Sequence, residues 1–118
     1  MSELNTPTYR LRFFFDYHCG GCLWCDNEAA YKKYDGGTLD AEIYDVNGNV
    51  SREARIKLPN STRQKVLELN KSYSESLNWA DPSGDSMWDK LKWDAFYTKT
   101  RELYKEIAII LGDDFEII

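Results

Sequence analysis

The first part of the chain alternates between hydrophobic and polar positions from residue 9 to residue 17. One face of the alternation consists of Leu11, Phe13 and Phe15, and the other consists of Arg10, Arg12, Phe14 and Asp16. A period of two residues predicts a β-strand. Because Phe14 is a large aromatic residue on the otherwise polar face, we expect a central strand that is covered on both sides.

Turn signals shape the next forty residues. A loop rich in Gly and Cys separates the strand from a short helix predicted at 27–34, with an N-cap at Asn27 or at the residue before it. Residues 41–58 predict a β-hairpin, since Asn47 and Gly48 both tolerate the positive φ angles of a two-residue turn. The second strand of this hairpin is highly charged, so we expect it to form an exposed edge.

Two long helices are predicted in the second half of the chain. The first is expected to begin at a capping box formed by Ser61 and Gln64 and to end near residue 78. Its apolar stripe consists of Val66, Leu69 or Asn70, Tyr73 and Leu77. The second helix is expected to begin at a capping box formed by Ser86 and Asp89.

The end of the chain completes the predicted fold. Gly112 suits the positive φ of a helix C-cap, and the apolar residues in 115–118 predict a last strand that pairs with the first. The order of elements indicates an α+β fold in a single domain, residues 1–118. We expect a small, mainly antiparallel sheet with two long helices packed on one face.

The composition narrows the class of protein. The 118 residues are 42% hydrophobic and 30% charged, which is typical of a folded domain and not of a disordered chain. The net charge of −5 disfavours nucleic acid as a partner and favours a basic protein. No apolar run is long enough to span a bilayer and the N-terminus lacks signal-peptide features, so we expect a cytoplasmic protein that contacts no membrane.

Three cysteines, Cys19, Cys22 and Cys25, lie in the predicted loop beside His18, the only histidine. Their spacing allows a zinc site or a thiol redox site placed after a strand. However, a structural zinc site needs four ligands, and no proline suits the cis-proline loop of thioredoxin-type enzymes. The remaining interpretation is structural, in which small buried residues let the loop pack tightly on the core.

No motif for enzymatic catalysis accompanies these cysteines. A nucleophile needs an oriented base, but the sequence has a single histidine and contains neither a nucleophile elbow nor a phosphate-binding loop. We therefore expect a protein without enzymatic activity and without a cofactor.

Acidic and aromatic residues gather in three stretches that contain no lysine or arginine. These stretches are 13–31, 72–89 and 106–118. The combination favours a partner-binding surface, since aromatic residues anchor interfaces and charges steer encounter. The candidate contact residues are Asp16, Tyr17, Trp24, Asp26, Asp81, Asp85 and Trp88. The alternative is that the tryptophans, Trp93 above all, are core residues and that the acids solvate loops and cap helices.

Several segments resemble a family of small acidic bacterial proteins. They are the run from Phe15 to Trp24, the helix start Leu58-Pro59, the segment from Ser76 to Ser83, and the run from Leu111 to Glu116. The family is similar to immunity proteins of contact-dependent and polymorphic toxin systems. The chain departs from it by its three cysteines and its Asn-Gly hairpin. The resemblance implies a protein that binds and blocks a cognate, basic, nuclease-type toxin domain.

Two principal hypotheses follow for the function. The first is an immunity-type inhibitor whose acidic, aromatic loops at 16–28 and 79–89 cover a basic toxin domain. The second is a small thiol or metal-binding protein that uses Cys19, Cys22 and Cys25. A metal analysis together with a thiol count separates the two. A third possibility, an adaptor for another partner, is compatible with the same sequence.

Overall fold

The computed structural model describes residues 7–17, 20–77, 80–81, 84, 86 and 88–118. These residues contain five strands and three helices. The elements are β1 (Tyr9–Phe13), β2 (Leu23–Cys25), α1 (Glu28–Tyr34), β3 (Ile43–Tyr44), β4 (Val50–Arg52), α2 (Asn60–Glu75), α3 (Lys90–Leu111) and β5 (Phe115–Ile117).

A three-stranded sheet has β1 at its centre, in the order β2-β1-β5. Leu11 of β1 lies opposite Cys25 of the antiparallel β2 and opposite Ile117 of the parallel β5. The prediction that the last strand pairs with the first is confirmed. The prediction of a continuous loop over residues 18–26 is wrong, because Leu23–Cys25 form the strand β2. Three residues are too few to show a period of two, and β2 is defined by its pairing with β1.

The predicted hairpin is confirmed as a separate two-stranded sheet formed by β3 and β4. Gly48 adopts φ 81° in its turn, in the left-handed region that glycine favours. Asn47 does not adopt a positive φ, so the predicted two-residue turn is wrong. The chain turns over Asp45 to Asn49 instead, and the Asp45 N–H donates to the Asn49 carbonyl. The strands are shorter than the predicted span of 41–58, because only a few residues on each side of the turn pair.

Local capping signals locate some helix ends correctly and others not. The Asn27 side chain caps α1 by accepting a hydrogen bond from the Ala30 N–H at 3.0 Å, as predicted. The capping box at Ser61 is wrong, because α2 already begins at Asn60 and its N-cap is Pro59, which makes no side-chain bond. Helix α2 ends at Glu75, earlier than the predicted end.

At helix α3, one predicted N-cap residue is wrong and the predicted C-cap is confirmed. The Asp89 side chain is the N-cap and accepts from the Lys92 N–H at 2.9 Å. Ser86 is therefore not the cap, and its hydroxyl instead donates to the Ser76 carbonyl at 2.7 Å. Gly112 is the C-cap with φ 81°, as predicted.

The core lies between the three-stranded sheet and the two long helices, which confirms the predicted α+β fold. Its buried residues form one cluster, which includes Leu11, Leu23 and Ile117 from the sheet, Val66 and Leu69 from α2, and Phe96, Leu103 and Ile107 from α3. No helix in the described part of the chain is long and apolar enough to cross a membrane.

The opposite face of the sheet is open. Phe14 lies on that face and is 42% exposed. The expectation that the central strand is covered on both sides is therefore wrong. The single aromatic residue that suggested a cover packs instead against a neighbour on the same face.

Candidate binding surfaces

Aromatic side chains meet where the loop after β1 reaches the ends of the two long helices. We call this surface the aromatic end, and its members are Tyr17, Tyr73, Trp88, Trp93, Phe96 and Tyr97. Tyr17 stacks on Tyr73 with ring centroids 4.9 Å apart and an interplanar angle of 24°. Trp93 contacts Trp88 edge-on at 4.8 Å and stacks on Tyr97 at 5.6 Å. The first two stretches without lysine or arginine therefore meet at one end of the molecule.

Buried rings support exposed rings within the aromatic end. Phe96 is buried and contacts Tyr73, Trp88 and Trp93 at centroid distances of 6.0, 5.4 and 6.0 Å. Tyr17 and Tyr97 are 37% and 50% exposed. The exposed rings therefore rest on fixed neighbours, and their positions are set before any partner arrives. The alternative that the tryptophans belong to the core holds in part, because Trp88 and Trp93 are half-buried and pack against it.

Asn70 of α2 holds the loop that carries Asp16 and Tyr17. Its amide nitrogen donates to the Asp16 carbonyl at 2.9 Å, and its amide oxygen accepts from the Gly20 N–H at 3.1 Å. The Asn70 side chain is buried, so both of its polar groups need such partners. The only signal for this role in the sequence is a polar residue within the apolar stripe of α2.

The electrostatics of the aromatic end connect the same residues. Burial raises the pKa of the Tyr73 hydroxyl, with further contributions from Tyr17, from the charge of Asp16 and from Tyr97. Tyr73 therefore stays protonated throughout the physiological range. The Asp16 carboxylate is exposed and accepts from the Tyr17 N–H at 2.8 Å, which aligns it beside the exposed Tyr17 ring.

The second acidic loop is attached to the end of α2. The Ser86 hydroxyl bonds to the carbonyl of Ser76, the residue after α2. Asp81 is exposed, and its carbonyl accepts from the Gly84 N–H at 2.9 Å. Asp85, together with Trp79, lies outside the residues that the structure describes.

Trp24 and Asp26 lie apart from the aromatic end, on the open side of the sheet. Trp24 stacks on Phe14 at 4.7 Å with an interplanar angle of 7°, and its indole N–H donates to the Phe14 carbonyl at 3.1 Å. The Asp26 carboxylate is bound by Arg10 at 2.7 Å and by Arg12 at 2.6 Å. The hydrogen bond from Arg12, followed by that from Arg10, lowers the pKa of Asp26. Much of this negative charge is already paired within the protein.

The sequence profile of the Serratia CdiI immunity protein-like family matches residues 9–118. The chain belongs to this family. The match begins at the first residue of β1 and extends to the last residue of the chain, so it includes every strand and helix. No curated protein matches the sequence. Membership confirms the resemblance to immunity proteins that the sequence segments indicated.

In this immunity protein-like chain, Cys22 and Cys25 lie in the core. The fully buried Cys22 thiol donates to the Asp40 carboxylate at 3.5 Å, and the buried Cys25 thiol donates to the Asp35 carbonyl at 3.2 Å. Burial raises the pKa of Cys25, so its thiol stays protonated. Cys19, with His18, lies outside the described residues. Among the residues that are described, no group of three His, Cys, Asp or Glu side chains is placed to hold a metal ion.

Asp40 is a buried residue that no sequence pattern singled out. Its carboxylate accepts from the backbone N–H groups of Cys22 and Leu23, both at 3.0 Å, and lies 3.8 Å from the Arg63 guanidinium. A buried carboxylate requires such partners, because burial of an unpaired charge is costly. Asp40 thereby fixes the start of β2 to the loop that leads into the hairpin.

Proposed function

We propose that the protein is a non-enzymatic immunity protein that binds and neutralises a cognate toxin domain. Membership of the immunity protein-like family supports this type of function. The proposal places the protein in the cytoplasm, as one domain over residues 1–118. It requires no cofactor and no contact with nucleic acid or membrane.

The proposed contact surface is the aromatic end together with the acidic loops beside it. Large aromatic rings held in fixed positions are favourable anchors, because they bury much area and lose little conformational freedom on binding. The stack of Tyr17 on Tyr73 carries this proposal, since it attaches the loop after β1 to the end of α2, where the second acidic loop is also attached. The residues proposed to contact the toxin are Asp16, Tyr17, Trp24, Asp26, Asp81, Asp85 and Trp88. Of these, Trp24 lies in β2 and Asp26 directly follows it, on the open face of the sheet.

The distribution of charge supports a basic, nuclease-type toxin as the partner. Helices α2 and α3 together contain eight basic and five acidic residues, a net charge of +3. Because the whole chain has a net charge of −5, the residues outside these helices carry −8. The acidity therefore belongs to the loops and the sheet. Acidic loops beside exposed rings accelerate encounter with a positively charged surface.

Titration of the toxin domain encoded by the neighbouring gene tests the proposal. We expect inhibition of the toxin at equimolar ratio and an association rate that falls as salt is added. Asp16→Lys and Asp81→Lys should each slow association about tenfold, because each inverts an exposed charge at the proposed contact surface. Asp113→Lys is the matched control, since Asp113 is equally exposed but lies beyond the opposite end of α3.

The result that would remove the contact assignment is tight, inhibitory binding that Asp16→Lys and Asp81→Lys leave unchanged. A wild-type protein that neither binds nor inhibits the toxin domain would contradict the proposed function itself. A loss of binding in the Asp113→Lys control would indicate that net charge, and not the aromatic end, determines association.

A further inference from the structure

The β3–β4 hairpin exposes a group of large apolar side chains. Ile43, Tyr44 and Val50 are 44%, 58% and 45% exposed, and Val46 at the tip is completely exposed. Ile43 and Tyr44 are neighbours on β3, and the pairing with β4 is irregular between them. Both side chains are exposed, so the rest of the molecule covers neither of them.

The hairpin stands away from the core. Its two strands contact each other, and neither makes an extensive contact with another strand or helix of the described chain. No residue of β3 or β4 belongs to the buried cluster or packs against it. An isolated two-stranded hairpin is only marginally stable in water. The order of this hairpin must therefore come from polar contacts at its tip and its base.

Asp45 fixes the tip of the hairpin. Its carboxylate accepts from the N–H groups of Asn47 and Asn49 at 2.9 and 3.0 Å. Its backbone N–H donates to the Asn49 carbonyl at 2.8 Å, and its carbonyl accepts from the Gly48 N–H at 3.0 Å. Val46 is thus held outward on a closed turn.

Two arginines fix the base of the hairpin. Arg52 pairs with Asp35 at 3.4 Å. The guanidinium of Arg55 donates to the carbonyls of Gly36 at 2.7 Å and Thr38 at 3.1 Å, and it also contacts the Tyr34 carbonyl. The hairpin is therefore an ordered projection. A partner that binds it pays little of the entropy needed to order a loop.

The charges around the tip of the hairpin are acidic. Residues 42–50 include two acidic residues, Glu42 and Asp45, and no basic residue. The base is close to neutral, because Glu53 pairs with Lys57 at 3.7 Å and Arg52 pairs with Asp35. A groove of about 310 Å³ at the base is lined by acidic and basic side chains together. The complementary surface is an apolar recess with a basic rim.

We propose that this hairpin is a second docking element, which inserts its apolar tip into a basic-rimmed apolar recess on the cognate toxin domain. The inference rests on the proposed function. A second copy of the chain fits the hairpin poorly, because a symmetric contact would place its acidic residues opposite themselves. Ile109 on α3 is 81% exposed and lies outside the hairpin, so it supplies the comparison position.

Two variants of the full-length protein test the proposal by titration against the same toxin domain. The double variant Tyr44→Ser with Val46→Ser should bind about tenfold more weakly or worse, mainly through faster dissociation. Val46→Lys should also weaken binding, because it presents a positive charge to a basic rim. Ile109→Ser is the matched control and should bind like the wild type. Since all these positions are exposed, thermal midpoints should stay within about 2 °C of the wild type.

The outcomes separate this inference from the proposed function. Wild-type binding with unchanged affinity in both hairpin variants would overturn the docking role and leave the proposed function standing. Absence of wild-type binding would overturn the proposed function, and the docking role with it. Light scattering of the wild type and the double variant measures their oligomeric states. A wild-type dimer that becomes a monomer in the double variant would assign the hairpin to self-association and overturn the proposal.

Discussion

The aromatic end and the β3–β4 hairpin both present large aromatic or aliphatic side chains to solvent, but they differ in the packing beneath those side chains. Tyr17 and Tyr97 rest on rings that continue into the core through Phe96. No residue of β3 or β4 packs against the buried cluster. Hydrogen bonds at the tip and base hold the hairpin in its conformation. We therefore expect substitutions at the aromatic end to change both the stability of the protein and its binding to the toxin. Substitutions in the hairpin should change binding alone.

Substitutions at the two surfaces should differ in their effect on the packing of the protein. A substitution at the aromatic end alters the packing of α2 against α3 as well as any contact with a toxin. A substitution such as Val46→Lys alters only the exposed surface. Under the proposed docking role, the hairpin would be the region where substitutions change partner selectivity without loss of stability.

Replacement of Phe96 by Ala should have the largest effect and would test the coupling at the aromatic end. Phe96 is buried among Phe15, Tyr73, Trp88 and Trp93, so its removal leaves a cavity under the exposed rings. We expect a loss of about 3–5 kcal/mol in the free energy of unfolding, measured in urea. Val46→Ala at the hairpin tip should leave it within about 0.5 kcal/mol of the wild type. A loss below about 1 kcal/mol for Phe96→Ala would break the comparison.

The second prediction compares two aspartates that accept backbone hydrogen bonds. Asp40→Ala should lower the free energy of unfolding by about 2–3 kcal/mol, because it leaves two buried N–H groups without their acceptor and removes the ion pair with Arg63. Asp45→Ala should cost only about 0.5–1 kcal/mol, since water replaces its carboxylate at the exposed hairpin tip. Equal losses in urea denaturation would show that the hairpin is as tightly integrated as the core.

Removal of the Tyr17 ring should affect both properties at once. Tyr17→Ala loses the stack on Tyr73, worth about 0.5–1.5 kcal/mol of unfolding free energy, and should also weaken toxin binding. Tyr17→Phe retains the ring and should restore stability. Calorimetric titration of both variants alongside urea denaturation makes the measurement. Weakened binding without any change in stability would show that the two are not coupled here.

The smallest effect is expected at Asp26, through the pH dependence of stability. Arg12 and Arg10 lower the pKa of this carboxyl in the folded protein. The stability that the pairing contributes is therefore present above the unfolded pKa, near 4, and is lost as the pH falls through the lower folded value. Asp26→Asn should melt slightly below the wild type at pH 7, and the two should converge in acid. A difference in melting temperature that persists at about pH 2 would contradict this assignment.

The sequence predicted the elements whose signals are local, and it missed those that depend on distant partners. The alternation in β1, the Asn27 cap and the Gly112 cap are each decided within a few residues. The strand β2 contains only three residues and is defined by its pairing with β1. The Ser61 capping box failed because α2 begins earlier, at Asn60 after Pro59.

The candidate surfaces were likewise predicted where the signal is local and missed where it depends on residues far apart in the sequence. Aromatic and acidic residues near the aromatic end were predicted from composition, because base-free stretches are visible along the chain. The sequence did not reveal that Asp26 is paired with Arg10 and Arg12, since one residue of each pair lies outside its stretch. Nor did it reveal Asn70, whose hydrogen bond to the Asp16 carbonyl joins residues 54 positions apart.

Amide hydrogen exchange of the protein alone and in complex with the toxin domain tests the central claim most directly. The account predicts slower exchange in the complex at residues 16–17, 73 and 88–97, which include the aromatic end, and at 43–50 in the hairpin. Helix α1 and residues 106–112 should exchange at the same rate in both samples. Protection confined to these last two regions, with the aromatic end unchanged, would contradict the claim that the aromatic end covers the toxin.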